Sequence, residues 1–216
     1  MALSKVNFNS MNVTPAASKA IKFNSSNNGL ETGDLGGSLV LISTETASSS
    51  SAISFTSGID STYKEYIFKF IDIHPSADNI NFTFNMSIDS GSNYNVTKTT
   101  TFFEAYHKED DSDSYFAIAD GRDLAQSTNF QQLNGAGVQN ENDGSISGYL
   151  HIFDPSSTTF VKHFIASSGC NAHNSHYAWN SFIAGYGNTT SAVDAIQFKM
   201  SSGDIDAGTI KMYGVT

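Results

Sequence analysis

Charge is what this sequence is shortest of. Asp, Glu, Lys and Arg make up 15% of its 216 residues, well under the roughly one quarter usual in soluble domains. The balance is acidic, with 21 carboxylates against 11 Lys and Arg and a net charge of −10. Basic residues are scattered, Lys5, Lys19 and Lys22 being the nearest to a group. A groove that tracks a phosphate backbone displaces counterions with clustered Lys and Arg, so nucleic acid is not an expected partner. Cysteine is nearly absent as well: with Cys170 alone, no intrachain disulfide framework can exist. No apolar run approaches the ~18 residues of a membrane-spanning helix, so membrane insertion is not expected. No basic segment precedes an apolar stretch near Met1, so no signal peptide is expected and the chain is read as made in a cytoplasm.

Catalytic signatures are missing too. The sequence holds no G-x-S-x-G elbow, no H-E-x-x-H pair and no Gly-rich phosphate loop. Gly144-Ser145-Ile146-Ser147-Gly148 resembles an elbow, but Ile146 stands where the nucleophile belongs. A carboxylate pair for glycoside hydrolysis is set by the fold and not by spacing, which leaves Glu104 as a candidate on a strand. An enzyme is not the expected reading.

Polarity comes instead from Ser, Thr, Asn and Gly, the residues of turns and neutral β surfaces. The core comes from 16 Phe and 9 Tyr, each able to bury a large apolar surface. Period-two alternation marks the strands. In Ile80 to Asp89, Ile80, Phe82, Phe84, Met86 and Ile88 point one way and Asn81, Thr83, Asn85, Ser87 and Asp89 the other. Tyr63 to Ile73 is apolar on both faces and reads as a central strand ended by His74-Pro75. With Tyr94 to Phe103 these two predict a three-stranded antiparallel meander. Tyr149 to Phe153 and Thr159 to Ile165 flank Asp154-Pro155-Ser156-Ser157, a turn tetrad with Pro at its second position, and predict a hairpin. Further short strands are expected at Ser38 to Ser43, around Ile53 and Phe55, at Tyr115 to Ala119 and at Tyr177 to Tyr186. Leu124 to Leu133 is expected to hold one or two helical turns, and 134–148 and 167–176 to be loops. The chain closes on Asp194 to Thr216, where Ile196, Phe198 and Met200, then Ile210 and Met212, alternate with polar neighbours across a Ser/Gly/Asp connection. That pattern predicts a closing hairpin whose apolar residues share a core with Phe82 and Phe84.

The expected fold is therefore all-β: an antiparallel β-sandwich of jelly-roll type, about ten strands, with no long helix. The sandwich is expected to span 38–216. Residues 1–37 are expected to form an N-terminal arm or anchoring segment, because Val6, Phe8, Met11, Val13, Ile21 and Phe23 are too apolar for a free tail. Such an arm packs either on its own domain or on a neighbouring subunit.

Three constellations could bind something. Cys170-x-x-His173-x-x-His176 offers the thiolate and imidazoles that zinc prefers. No fourth ligand is identifiable, His163 and Asp154 being near only in sequence, so no metal or cofactor is expected. The acidic loop Glu109-Asp110-Asp111-x-Asp113 offers oxygen ligands but lacks the spacing and Gly of an EF-hand loop, and reads as a solvated tip. Tyr177, Trp179 and Tyr186 lie near polar loops and could stack on sugars, against the competing reading that Trp179 belongs to the core.

The ending Ala207-Gly208-Thr209-Ile210-Lys211-Met212-Tyr213-Gly214-Val215 resembles the C-termini of small virion structural proteins of tailed phages, marine ones above all. Tyr63-x-x-Tyr66-x-Phe68-x-Phe70 followed by an Asn- and Phe-rich strand, and the opening Met1-Ala-Leu-Ser-Lys5, are similar to that group as well. The resemblance carries no catalytic or binding residues. It implies a non-enzymatic virion component, a capsid decoration (cement) or fibre subunit, forming a homotrimer and contacting other capsid or tail proteins. An alternative is a module of a tail or head fibre that recognises host surface glycans. A glycan-degrading enzyme ranks third.

Overall fold

A computed structural model describes residues 13–14, 19–26, 28–33, 39–172 and 177–216. The chain divides into two compact units, Met1–Ser38 with Thr216, and Leu39–Val215. In the first, β1 (Ala20–Phe23) and β2 (Leu30–Gly33) pair antiparallel, Phe23 opposite Leu30. Asn24 closes the turn: its amide donates to Gly29 O at 2.9 Å and its Oδ1 accepts from the Asn28 amide at 3.1 Å. Of the residues expected to mediate assembly, Val6, Phe8 and Met11 lie outside the described residues. Val13 is half-buried, while Ile21 and Phe23 are exposed on β1 at 39% and 71%.

The second unit holds twelve strands: β3 (Leu39–Thr46), β4 (Ile53–Phe55), β5 (Glu65–Pro75), β6 (Phe82–Ser87), β7 (Lys98–Lys108), β8 (Ser114–Ile118), β9 (Gln131–Gln132), β10 (Ile146–Phe153), β11 (Lys162–Asn171), β12 (Tyr177–Gly187), β13 (Ala195–Met200) and β14 (Ile205–Val215). Eight form one sheet in the order β3-β14-β5-β10-β11-β12-β7-β8, and four form a second in the order β4-β13-β6-β9. Every pairing is antiparallel, and no helix occurs among the described residues. The fold is all-β, with more strands than the ten expected, because short pieces such as β4 and β9 carry too few residues to show a period.

The two sheets share one core. Phe68, Phe70 and Phe164 of the large sheet meet Phe82, Phe84 and Phe198 of the small one, with ring centroids 5.1 to 5.5 Å apart for Phe84–Phe164, Phe70–Phe82 and Phe68–Phe198. Ile196, Phe198, Met200, Ile210 and Met212 belong to the same buried cluster as Phe82 and Phe84. Yet β13 and β14 are not a hairpin. β13 pairs with β4 and β6, β14 with β3 and β5. Residues 201–204 are an arch that carries the chain from one sheet to the other. Alternation cannot separate these cases, since strands in facing sheets turn the same apolar face to the same core. The meander fails for the same reason: β5 and β7 lie in the large sheet, four places apart in its order, and β6 lies in the small one. Neighbouring arches tie to each other, the Ser76 amide donating to Asp204 O at 3.0 Å and the Ser201 amide to Asn81 O at 2.8 Å.

The β10–β11 hairpin is present, with Ile152 opposite Phe164 and the Ser157 amide donating to Asp154 O at 3.0 Å in the turn. The polar loop expected over 167–176 is instead strand as far as Asn171, because β10 and β12 pair with it on both sides and the ladder overrides its Ser/Gly composition. The helical turns expected at Leu124 to Leu133 are absent. That segment runs extended beside the start of β7, where the Lys98 amide donates to Ser127 O at 2.8 Å and the Thr100 amide to Leu124 O at 2.9 Å.

This segment also buries the polar face of β6. Thr83, Asn85 and Ser87 are 7%, 0% and 0% exposed, where alternation alone places them toward water. Asn85 Nδ2 donates to Tyr94 O at 2.8 Å and to Thr128 O at 2.9 Å, and its Oδ1 accepts from the Met86 amide at 2.8 Å and from Lys98 Nζ at 2.5 Å. A buried carboxamide with both ends satisfied pins the covering loops to the small sheet.

Candidate functional site

β12, β7 and β8 are adjacent in the large sheet, and their pairing brings four aromatic residues together. Register sets Trp179 opposite Tyr106 and Tyr106 opposite Tyr115. Tyr106 lies 4.3 Å from Trp179, 5.0 Å from Tyr177 and 5.4 Å from Tyr115, centroid to centroid. Tyr115 is 51% exposed, and Tyr106, Tyr177 and Trp179 are half-buried. Polar groups fix the rings. Tyr177 Oη donates to Asp113 Oδ2 at 3.1 Å, and Trp179 Nε1 donates to Glu104 Oε2 at 3.1 Å. Arg122 Nη1 donates to Glu104 Oε1 at 2.6 Å, so this buried carboxylate is held from both sides. Partial desolvation, reinforced by the Asp113 carboxylate, keeps the Tyr106 and Tyr177 phenols above their ordinary pKa and protonated as donors.

Of the expected sugar platform, the structure therefore brings Tyr177 and Trp179 together and leaves Tyr186 out. Tyr186 pairs with His163 and Thr99 and faces the other side of the sheet. Tyr106 and Tyr115 complete the cluster and were not singled out by sequence, since only the β12–β7–β8 register puts them beside Trp179. Glu104 is also bound up here. Its two oxygens are occupied by Arg122 and Trp179, which describes a buried strut rather than a catalytic carboxylate.

Of the zinc candidates, only Cys170 lies among the described residues. Cys170 sits in β11, buried, and burial pushes its thiol up to about 12. His173 and His176 lie outside the described residues. In the acidic loop, the three aspartates have separate partners: Asp110 is held by Ser112 and Lys108, Asp111 by His107, Asp113 by Tyr177. The Ser112 and Lys108 contacts pull Asp110 down to about 2. Among the described residues, no three His, Cys, Asp or Glu side chains converge in a way that could hold a metal.

Two further places stand out. A polar hollow of 470 Å³ lies beside the bulge in β5, lined by Asp72, His74, Asn142, Ser145 and Asp206. Its groups are engaged locally, the Asp72 amide donating to Ser147 Oγ at 3.0 Å and Ser49 Oγ donating to Asp206 Oδ1 at 3.0 Å. The other is the outer face of the large sheet. Outward residues of β10, β11, β12, β7 and β8, five adjacent strands, include no Asp, Glu, Lys or Arg. Phe103 stacks on Phe182 at 4.9 Å and meets Phe116 at 5.8 Å. Phe116, Ile118 and Ile165 are 70%, 68% and 49% exposed. A shallow hollow of 480 Å³ opens in the same face, lined by Thr99, Thr101, Phe153, Ile165, Ala184 and Tyr186 among others.

No protein-family model, no curated protein and no solved structure matches the chain.

Proposed function

We propose that the protein is a non-enzymatic structural subunit of a tailed-phage virion, a capsid decoration or fibre protein that works as a homo-oligomer displayed on the particle. The observation that carries this reading is the uncharged part of the large sheet's outer face, on β10, β11, β12, β7 and β8. An uncharged sheet face with Phe116, Ile118 and Ile165 exposed on it suits a surface that is covered in an assembly. The C-terminal resemblance points the same way, since Ala207 to Val215 forms the bulk of β14, which threads between β3 and β5. A jelly-roll reading is supported by the path of the chain. Strands alternate between sheets along β3→β4→β5→β6→β7 and again at β12→β13→β14, and the order β3-β14-β5 repeats in the facing sheet as β4-β13-β6.

The test is proteomics of banded particles from the phage whose genome carries this sequence. Peptides of this chain should copurify with the major capsid protein through the gradient. Their absence from infectious particles would overturn the reading.

A second reading, host-glycan binding, is favoured by the Tyr106/Tyr115/Tyr177/Trp179 cluster, whose rings and flanking Asp113 suit stacking and hydrogen bonding to a sugar. On a glycan array, retained signal should vanish in Trp179→Ala. No binding by the wild-type chain at high concentration would dismiss it.

A further inference from the structure

We infer that the outer face of β10-β11-β12-β7-β8 is the contact surface between copies of this chain. This deepens the structural reading above by naming the surface and its occupant.

The argument begins with charge. The chain carries 21 carboxylates against 11 Lys and Arg, so two copies repel along most directions of approach. The five-strand face is the exception. Its outward positions along β11 and β12 are His163, Ile165, Ser167, Gly169, Asn171 and Ala178, Asn180, Phe182, Ala184, Tyr186; β7, β10 and β8 continue the same composition without one carboxylate. Acidic groups border the face without lying on its five strands: Glu65 on β5 contacts His151 at 2.5 Å at the β10 edge, Asp154 follows Phe153 at the end of β10, and Asp110, Asp111 and Asp113 sit in the β7–β8 turn. A basic partner would find its complement elsewhere on the molecule. A nucleic acid would find no cation here. A like-charged copy, by contrast, can seat over β11, β12, β7 and β8 without bringing carboxylates together, since Glu65 lies at the β10 edge.

Size agrees. Five strands at ~4.8 Å spacing, over about eight residues at ~3.3 Å, present roughly 650 Å² in projection before side-chain relief is counted. That is close to the roughly 800 Å² per partner of a standard stable interface. Shape agrees as well. The face holds both a protrusion, Phe116 at 70% exposed, and a hollow of 480 Å³ floored by Thr99, Thr101 and Ala184 between Phe153 and Tyr186. A protruding ring and an apolar hollow on one face are what contact from copy to copy requires. Aromatic residues at the centre of a patch that lacks charge match the composition of interface cores.

The experiment is sedimentation equilibrium of the purified full chain up to about 100 µM, a range that covers standard-size interfaces of modest affinity. The wild type is expected to sediment as two or more copies of the 23.2 kDa chain. Ile165→Glu places a carboxylate in the middle of the face and should raise the dissociation constant at least tenfold, with an unchanged far-ultraviolet spectrum. Phe116→Ser, at a site too exposed to threaten folding, should do the same more weakly and keeps the test valid if Ile165→Glu fails to fold. A wild type that remains a monomer, or variants that assemble with wild-type affinity, would overturn the inference. The outcome is separable from the virion reading. A monomer found in particles defeats this inference alone, and an oligomer missing from particles defeats that reading alone.

Discussion

Lys98 and Lys162 open strands β7 and β11 and are both 0% exposed. Register places them on either side of Gly187, which pairs with each. Lys98 Nζ donates to Asn85 Oδ1 at 2.5 Å and to Val96 O at 2.8 Å, two acceptors that match the two N–H bonds of a neutral amine. Burial lowers its pKa from 10.5 to about 7, and burial lowers that of Lys162 in the same direction. Nothing in Thr97-Lys98-Thr99 announces this, since lysine amid threonines reads as the wet side of a strand. For linkage, the folded state holds the Lys98 proton less tightly than the unfolded chain does. The unfolded chain therefore binds more protons between pH ~7 and ~10.4, and stability rises with pH across that window. Lys98→Met cannot titrate. We expect the wild type to gain on Lys98→Met by on the order of 4 kcal/mol between pH ~7 and ~10, measured by urea unfolding at each pH. A difference that stays flat across the window would show that the amine is solvated in the fold.

The strands show how far alternation reaches. In β13, Ile196, Phe198 and Met200 were legible as core, and they are. Their pairing was not, because a strand announces which face is buried and says nothing about which sheet it joins. The deciding information lies in the arches, whose Ser, Asp and Gly residues are the same ones that make tight turns. The candidate site divides likewise. Tyr177 and Trp179 were legible as aromatics on one face of one strand, two residues apart. Tyr106 and Tyr115 were not, because they reach the cluster only through the ladders that join β12 to β7 and β7 to β8. Gly208 tests an irregular place in such a ladder. In β14 the pairing with β5 shifts between Ala207 and Thr209, and Gly208 crosses it with φ of +120°. A Cβ there would lie 2.6 Å from Asp72 O and 2.8 Å from Ile73 Cα, both backbone atoms of β5. Gly208→Ala should therefore cost roughly 2–3 kcal/mol, from strain and overlap together. Gly169→Ala on β11 is the control. The nearest atom to its Cβ would be Trp179 O at 3.9 Å, and it should unfold within about 0.5 kcal/mol of the wild type. Equal denaturation midpoints for the two variants would remove the special role of the β14 irregularity.

At the scale of the molecule, aromatic residues do two different jobs, and stability measurements can separate them. Phe198 stands between the sheets. Its ring lies 5.5 Å from Phe68, 5.7 Å from Phe82 in a near-parallel stack, and 6.3 Å from each of Phe55, Phe70 and Phe84. Truncating it opens a cavity that both sheets line, and neither can move in without breaking its own ladder. Phe198→Ala should cost about 3–5 kcal/mol, and Phe198→Leu, which keeps most of the volume, markedly less. Phe182 has the same chemistry on the opposite side of the large sheet, 38% exposed and stacked on Phe103 at 4.9 Å. Phe182→Ala should cost the isolated chain roughly 1–2 kcal/mol, from one aromatic pair and the part of the ring that is buried. Its effect should instead grow with protein concentration, because a residue covered by a neighbouring copy stabilises in proportion to how much of that copy is bound. Thermal unfolding of both variants at low and high concentration reads the two roles apart. Phe198→Ala lowers the melting temperature by the same amount at both concentrations. Phe182→Ala lowers it little when dilute and more when concentrated. If Phe182→Ala shows no concentration dependence, its ring belongs to the fold alone and the outer face is not where copies meet.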